Sequence, residues 1–476
     1  MKKEIEEYFN NEETQAVVRR YEEMRRKKMM YYFDIFDFEN IIDFYIFKNN
    51  LRDAYEVTDY AIRLHPAASS IQIRKAQLLI DRGQADKSLK LLNHLEKLES
   101  PSVEIYVSKG FAFNALGKTS SAIKCFDLAT LHANEETVLD ELYYGIASSF
   151  VQVNNYKLAI EYFNKAIHFN EKQSLSLYYL GYCYNQTGNL EKSVTYYNLY
   201  LDQNPFSADV WYELGIAYSK LTQFDNAINA YEYSIAIDNK FAPPLFNKAY
   251  LLFRLEKYLP AIDAFKEFLE IEKDNAIALC NIGFCYENIN DFAQALLYYK
   301  KTLEISNEIP EAWYGIGVIS YNKGKLLESL LCVQKAVELD SSNPLYWFTL
   351  ADLSLEIDCI EGAIVAFRTV TEIDPQNYLG WLKYSEIIHT SGNVKKAIKV
   401  LRKAMVYHFD NALLNWKLAS YLYQNNNVRL MLDYLEVALA QDYELHKAYL
   451  AENPESILNT KIDFLINKYK NKIDDI

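Results

Sequence analysis

Residues 211–239 read WYELGIAYSKLTQFDNAINAYEYSIAIDN. Trp211, Leu214 and Tyr218 stand at i, i+3 and i+7, the spacing that gathers three large side chains on one face of a helix. Gly215 leaves a gap in that face. Twelve residues on, Ala227 leaves another gap in a second apolar run, and Tyr231 follows it by one helical turn. Small positions on two facing helices let their axes approach closely. A ring that shares the face of Ala227 then fills the space between neighbouring hairpins.

Working outward, a small residue recurs about every 34 positions: Ala54, Ser88, Ala122, Ala159, Ser193, Ala227, Ala261, Ala295, Ser329, Ala363 and Ala397, with Met431 closing the series. Twelve residues before each of the later members lies its partner: Ala76, Gly110, Ala147, Gly181, Gly215, Ala249, Gly283, Gly317, Ala351, Ser385 and Ala419. Leu177, Leu180 and Tyr184 repeat the first-helix stripe, as do Trp313 and Ile316. Phe163, Tyr197, Phe265, Tyr299 and Phe367 repeat the ring of Tyr231. The interval from Ala122 to Ala159 holds three extra residues, which the polar stretch His132 to Glu136 accommodates as a longer loop.

Five residues before the small position stand Asn49, Gly83, Gly117, Asn154, Gly188, Asn290, Gly324, Asp358, Gly392 and Asn426. These types tolerate the left-handed conformation that ends a helix. Pro66, Pro205 and Pro375 close the second helix of their hairpins. Of 14 glycines, five occupy the helix-contact position and five the turn, which leaves little for a phosphate-binding loop.

The pattern W-x-x-L-G-x-x-Y followed by A, F, A and P at fixed offsets resembles the tetratricopeptide repeat. Trp211, Leu214, Gly215, Tyr218, Ala227 and Tyr231 carry it most clearly, with Ser234 and Asn239 where alanine and proline are usual. About twelve repeats fit between Ile35 and Leu445. The resemblance implies an all-α, right-handed α-α superhelix, a solenoid whose hairpins touch only their neighbours. Residues 1–34 read as a charged amphipathic helix capping the first repeat. Residues 446–476 read as C-terminal capping helices: a further first helix broken at Pro454, then a helix from about Glu455 to Lys470 whose apolar residues are Ile457, Ile462, Leu465, Ile466 and Tyr469.

The family's architecture implies that repeat positions 5, 9, 12 and 13 of each first helix line a concave groove. Position 5 holds Tyr144, Tyr178, Tyr212, Phe246, Tyr314, Phe348 and Trp416. Position 13 holds Gln152, Gln186, Lys220, Arg254, Asn288, Asn322 and Gln424, and Asn185 adds an amide at position 12. One reading is a trough whose rings bury a guest's side chains while amides and cations bond its backbone or carboxylates. The other is that the rings pack on the next repeat and the polar row faces solvent. Lys220 and Arg254 make the middle basic, whereas Asp352, Glu356 and Glu386 make later repeats acidic. The family's carboxylate clamp needs lysine and asparagine at positions 5 and 9. Here position 5 is aromatic, and position 9 holds Ser148, Tyr182, Ile216 and Tyr250. An asparagine ladder at position 6 is reduced to Asn247 and Asn281.

Fifty cations against 64 carboxylates give a net charge of −14, which argues against nucleic acid or an anionic membrane as the main partner. The basic cluster Arg19 to Lys28 is interrupted by Glu22 and Glu23 and reads as a solvated helix face. The six cysteines form no C-x-x-C pair and read as small buried residues. The charged N-terminus and the lack of any long apolar run predict no signal, no membrane insertion and a cytoplasmic location. No hydrolase, zincin or nucleotide-binding motif is present. Glu386 and His389 form an isolated E-x-x-H pair, with Asp352 one repeat earlier. The chain is therefore expected to be a scaffold without cofactor or catalytic site, holding a protein or extended peptide. The alternative is an accessory module that presents a substrate to an enzyme on another chain. The oligomeric state is not legible.

Overall fold

The computed structural model describes residues 12–98, 102–133, 136–170 and 173–474. Among the described residues there are 27 α-helices, one short 3-10 helix and no strand. Two compact units, Met1–Pro244 and Leu245–Ile476, divide the chain inside the helix Ala242–Arg254. Twelve consecutive helical hairpins run from Ile35–Phe47 with Leu51–Leu64 to Ala412–Gln424 with Val428–Gln441. No helix among the described residues is long and apolar enough to cross a membrane.

The predicted ladder is the innermost layer. Ala54, Ser88, Ala122, Ala159, Ser193, Ala227, Ala261, Ala295, Ser329, Ala363, Ala397 and Met431 all have zero exposure. The glycine gaps are filled from the facing helix of the same hairpin. A Cβ on Gly110 would lie 2.2 Å from Phe126, and one on Gly181 or Gly283 would lie 2.6 Å or 2.7 Å from Tyr197 or Tyr299. Some rings also reach the next hairpin, as expected: Tyr299 abuts Gly315 from its other edge, and Phe163 stacks on Tyr179 at 5.5 Å. Burying each such side chain contributes about 1.5–3 kcal/mol.

All ten predicted turn residues have positive φ, from 55° at Asn49 to 83° at Gly392. The two hairpins without a predicted residue use Thr222 and Glu256, both with φ of 59°. Each turn donates backbone N–H groups to the carbonyls left open by the first helix, as Gln223 does to Tyr218 at 3.0 Å. Asn50, Asn155, Asn189, Asp291, Asn393 and Asn427 then accept from the opening turn of the second helix.

A side-chain N–H four places into the first helix secures the junction between hairpins. The indoles of Trp211, Trp313, Trp347 and Trp381 donate to the carbonyls of Pro205, Asn307, Ser341 and Pro375 at 2.8–3.0 Å. Gln72 and Asn415 do the same with amide groups, to Pro66 and Phe409.

Three details differ from the sequence reading. The extra residues near His132 lengthen the next first helix, Glu136–Gln152, to 17 residues where the others have 13, while residues 134–135 lie outside the described residues. Past Pro454 the chain first makes a 3-10 turn, Pro454–Leu458, so the last helix starts at Thr460. Cys359 is exposed at a helix N-cap, whereas Cys183, Cys280, Cys285 and Cys332 are buried.

At the start, the part of residues 1–11 in the expected cap lies outside the described residues. Helix Glu12–Lys27 buries Val18, Tyr21 and Met24 in one cluster with Phe33 of the connecting loop and Phe38 and Val57 of the first hairpin. At the end, Ile462 and Leu465 of helix Thr460–Asp474 join Leu435 and Leu439 in one cluster, with Ile466 and Tyr469 at its margin; the side chain of Ile457 lies outside the described residues.

Candidate partner-binding face

Each first helix offers the next a row of side chains, and hydrogen bonds link them from hairpin to hairpin. Asp43 pairs with Arg74 at 2.7 Å, Asn114 donates to the Ser149 carbonyl at 2.7 Å, and Tyr314 shares a 3.2 Å hydrogen bond with Thr349. Near the end Lys417, largely buried, lies between Glu386 at 3.1 Å and Glu452 at 2.7 Å. His389 stacks on Tyr421 and bonds Gln424 at 2.6 Å. The E-x-x-H pair is thus engaged in joining hairpins, and among the described residues no His, Cys, Asp and Glu cluster could hold a metal ion.

The position-5 rings are half-buried in this seam. Tyr144 leans on Phe163 and Tyr179, Tyr178 on Tyr197 and Tyr200, Tyr212 on Tyr231 and Phe241. In the second unit Phe246 packs on Phe265 and Phe268, Tyr314 on Tyr346 at 4.9 Å, and Phe348 on Phe367. Trp416 is buried in the core. Burial, aided by Glu213, pushes the Tyr178 hydroxyl up to about 12.

The polar row is exposed. In the first unit Gln152, Gln186 and Lys220 reach solvent, while Asn185 is buried and accepts from Lys220 Nζ at 2.7 Å. Gln152 also lines a cleft of about 240 Å³ with Gln77, Asp81, Phe111, Gly145, Ser148 and Ser149. Burial raises the pKa of Asp81 there. In the second unit Arg254, Asn288 and Asn322 are exposed, although Asn288 donates back to the Phe284 carbonyl of its own helix at 2.9 Å. Burial also raises Asp352, against the pull of Lys383.

Two groups were not named as binding residues from the sequence, although Tyr250 was already placed at position 9. On first helices of the second unit, Tyr250 and Phe284 at position 9 and Tyr321 at position 12 are each just over two-fifths exposed. Phe253 joins the first two, 6.0 Å from Tyr250 and 5.3 Å from Phe284. Their register in the repeat, with the family's groove positions in mind, was the available signal. The second group is basic. Within Arg19 to Lys28, Arg25 pairs with Asp53 and Glu56 and Lys27 with Glu23. Lys396, Lys399 and Lys403 are exposed and have no ion pair among the described residues, and their i, i+3, i+7 spacing was there to be read.

Tetratricopeptide repeat family models match residues 144–208, and also 208–241, 276–309 and 310–343. No curated protein matches the chain. Among solved structures, the chain is similar to YrrB, described as a TPR protein with an unusual peptide-binding site: 23% identity over 39% of this chain and 96% of that one, TM-score 0.33. PilF of Pseudomonas aeruginosa matches at 18% identity over 46% of this chain and 98% of its own, TM-score 0.39. The APC/C hetero-tetramer Cut9-Hcn1 matches at 13% over 81% and 90%, TM-score 0.38. The matched segments are tetratricopeptide repeats, and helical hairpins of the same length and turn geometry continue on either side of them.

Proposed function

We propose that the chain is a protein-interaction scaffold whose first-helix face holds an extended protein or peptide segment. The observation that carries this reading is the solvent-facing surface of the second unit, where Tyr250, Phe253 and Phe284 form a continuous ring cluster beside Arg254 and Asn288. Apolar rings next to hydrogen-bonding groups suit a chain that must lose both side-chain and backbone hydration on docking. Packed helices lie about 8–10 Å apart. An extended strand rises about 3.3 Å per residue, so roughly three guest residues span one repeat.

In the first unit, Gln152, Gln186 and Lys220 supply the polar contacts in the same register. Arg254, Asn288 and Asn322 do so in the second. Tyr144, Tyr178, Tyr212, Phe246, Tyr314 and Phe348 form the floor beneath them and hold neighbouring helices in place. The chemistry is recognition alone, and the matching family models are repeat models rather than enzyme families.

The test is selection of random peptides on the purified chain, followed by affinity measurement with two double variants. Tyr250→Ala with Phe284→Ala, and Gln186→Ala with Lys220→Ala, should each weaken peptides selected on their own unit at least tenfold, with an unchanged circular dichroism melt. Selected peptides that bind both variants as tightly as the wild type would refute the face.

A further inference from the structure

A run of cations with no carboxylate among them lies away from the first-helix face. Residues 391–409 contain Lys395, Lys396, Lys399, Arg402 and Lys403 and not one carboxylate, in a chain whose carboxylates outnumber its cations by 64 to 50. The helix Val394–Ala404 projects Lys396, Lys399 and Lys403 from one face. They form one wall of a cleft of about 330 Å³. Arg368, Thr371 and Glu372 from helix Ile360–Ile373 also line it, with Trp381 and Tyr384 of helix Tyr378–Thr390.

The three lysines are exposed, and among the described residues no carboxylate lies within ion-pairing distance of them. Arg368 spends only its Nε on Glu372, at 2.8 Å. Four cations around one cleft repel one another, an arrangement that an anionic guest relieves. The helix stops after 11 residues, where other second helices run to 14, and its continuation exposes apolar surface. Val406 and Phe409 are 77% and 74% exposed, and Tyr407 stacks on Trp381, so the apolar patch is continuous with the cleft.

We propose that this cleft docks an acidic linear segment of a partner protein, with its carboxylates on Lys396, Lys399, Lys403 and Arg368 and an adjoining apolar residue on Val406 and Phe409. Charge complementarity selects that guest. The net charge of −14 repels polyanions from the rest of the surface and steers a short acidic stretch to this site. A phosphodiester backbone is disfavoured because it needs a long basic track, and here Glu372 stands among the residues lining the cleft.

The probe is a labelled dodecapeptide of Asp and Glu ending in Phe, titrated into the full chain and followed by fluorescence anisotropy. Saturable binding is expected, at least tenfold weaker in the triple variant K396E/K399E/K403E and weakened further by added salt. Val406→Ser with Phe409→Ser should weaken this peptide several-fold while leaving its Phe-free counterpart unchanged. The replaced side chains are exposed, and a wild-type circular dichroism spectrum for each variant confirms folding. Equal binding by wild type and triple variant overturns the proposal. So does tighter binding of a 20-nucleotide single strand than of the peptide, or a wild-type self-association in sedimentation that the triple variant abolishes.

Discussion

A Cβ placed on Gly215 would stand 2.5 Å from Cε1 of Tyr231. The same relationship links Gly181 to Tyr197 and Gly283 to Tyr299, so each ring presses on bare backbone across its own hairpin. Gly145 is different, because the nearest atom, Phe111 Cζ, is 4.0 Å away. Gly215→Ala should gain about 1 kcal/mol of helix propensity but lose about 1–3 kcal/mol by displacing Tyr231. Gly145→Ala should keep the gain. Because long arrays need not unfold in one step, native-state hydrogen exchange within each hairpin is the measurement. Faster exchange in Gly145→Ala than in Gly215→Ala would contradict this account.

Thr222 holds a left-handed backbone, φ 59°, although it is β-branched. For L-residues that conformation costs roughly 1–2 kcal/mol, which glycine avoids. Thr222→Gly should therefore stabilise the hairpin of residues 208–237 by about 1 kcal/mol. The reverse change at Gly188, φ 79°, should cost a similar amount. Protection factors for the two variants that move in the same direction would refute the assignment.

Burial holds the thiols of Cys183, Cys280 and Cys285 up to about 12, where the reactive thiolate is scarce at neutral pH. Cys125 and Cys332 are raised in the same way, and Cys359 is exposed. An aromatic disulfide reagent at pH 8 should count one fast thiol in the native chain and six in denaturant. Cys359→Ser should remove the fast phase; its survival would place the reactive thiol elsewhere.

Burial also raises the carboxyls of Glu213 and Glu287 above the ordinary 4.5, opposed by Lys220 in the first case and by the Tyr299 hydroxyl, 2.6 Å away, in the second. A folded pKa above the unfolded one means that the folded chain binds more protons between the two values. Stability contributed by these groups therefore falls as pH rises through the interval above 4.5. Glu213→Gln with Glu287→Gln should flatten the urea midpoint against pH in that window. An unchanged slope would show that other groups cause it.

The hairpins were legible because a position with no exposure and a neighbouring helix against it favours a small side chain, and eleven alanines and serines recur there on one period before Met431 closes the series. The turns were legible where Gly, Asn or Asp occupies them. Thr222 and Glu256 were invisible, since the surrounding helices impose the left-handed residue there without a compositional sign. The position-5 rings posed a harder problem: Tyr178 at helical spacing reads alike whether it faces a guest or Tyr200. The basic cleft needed the fold, because Arg368 is 28 residues from Lys396 in the chain and joins it only through hairpin packing. The position of the last helix was misjudged because a proline can open a 3-10 turn as readily as an α-helix.

The indole tethers at the junctions give the chain built-in optical probes. Trp211 reports from the first unit, and Trp313, Trp347 and Trp381 from the second, each through a backbone carbonyl that must let go before its two hairpins part. With the other indoles replaced by phenylalanine, the emission of a single remaining tryptophan would time the loosening of one chosen joint, and the order in which the array comes apart could be read from light alone.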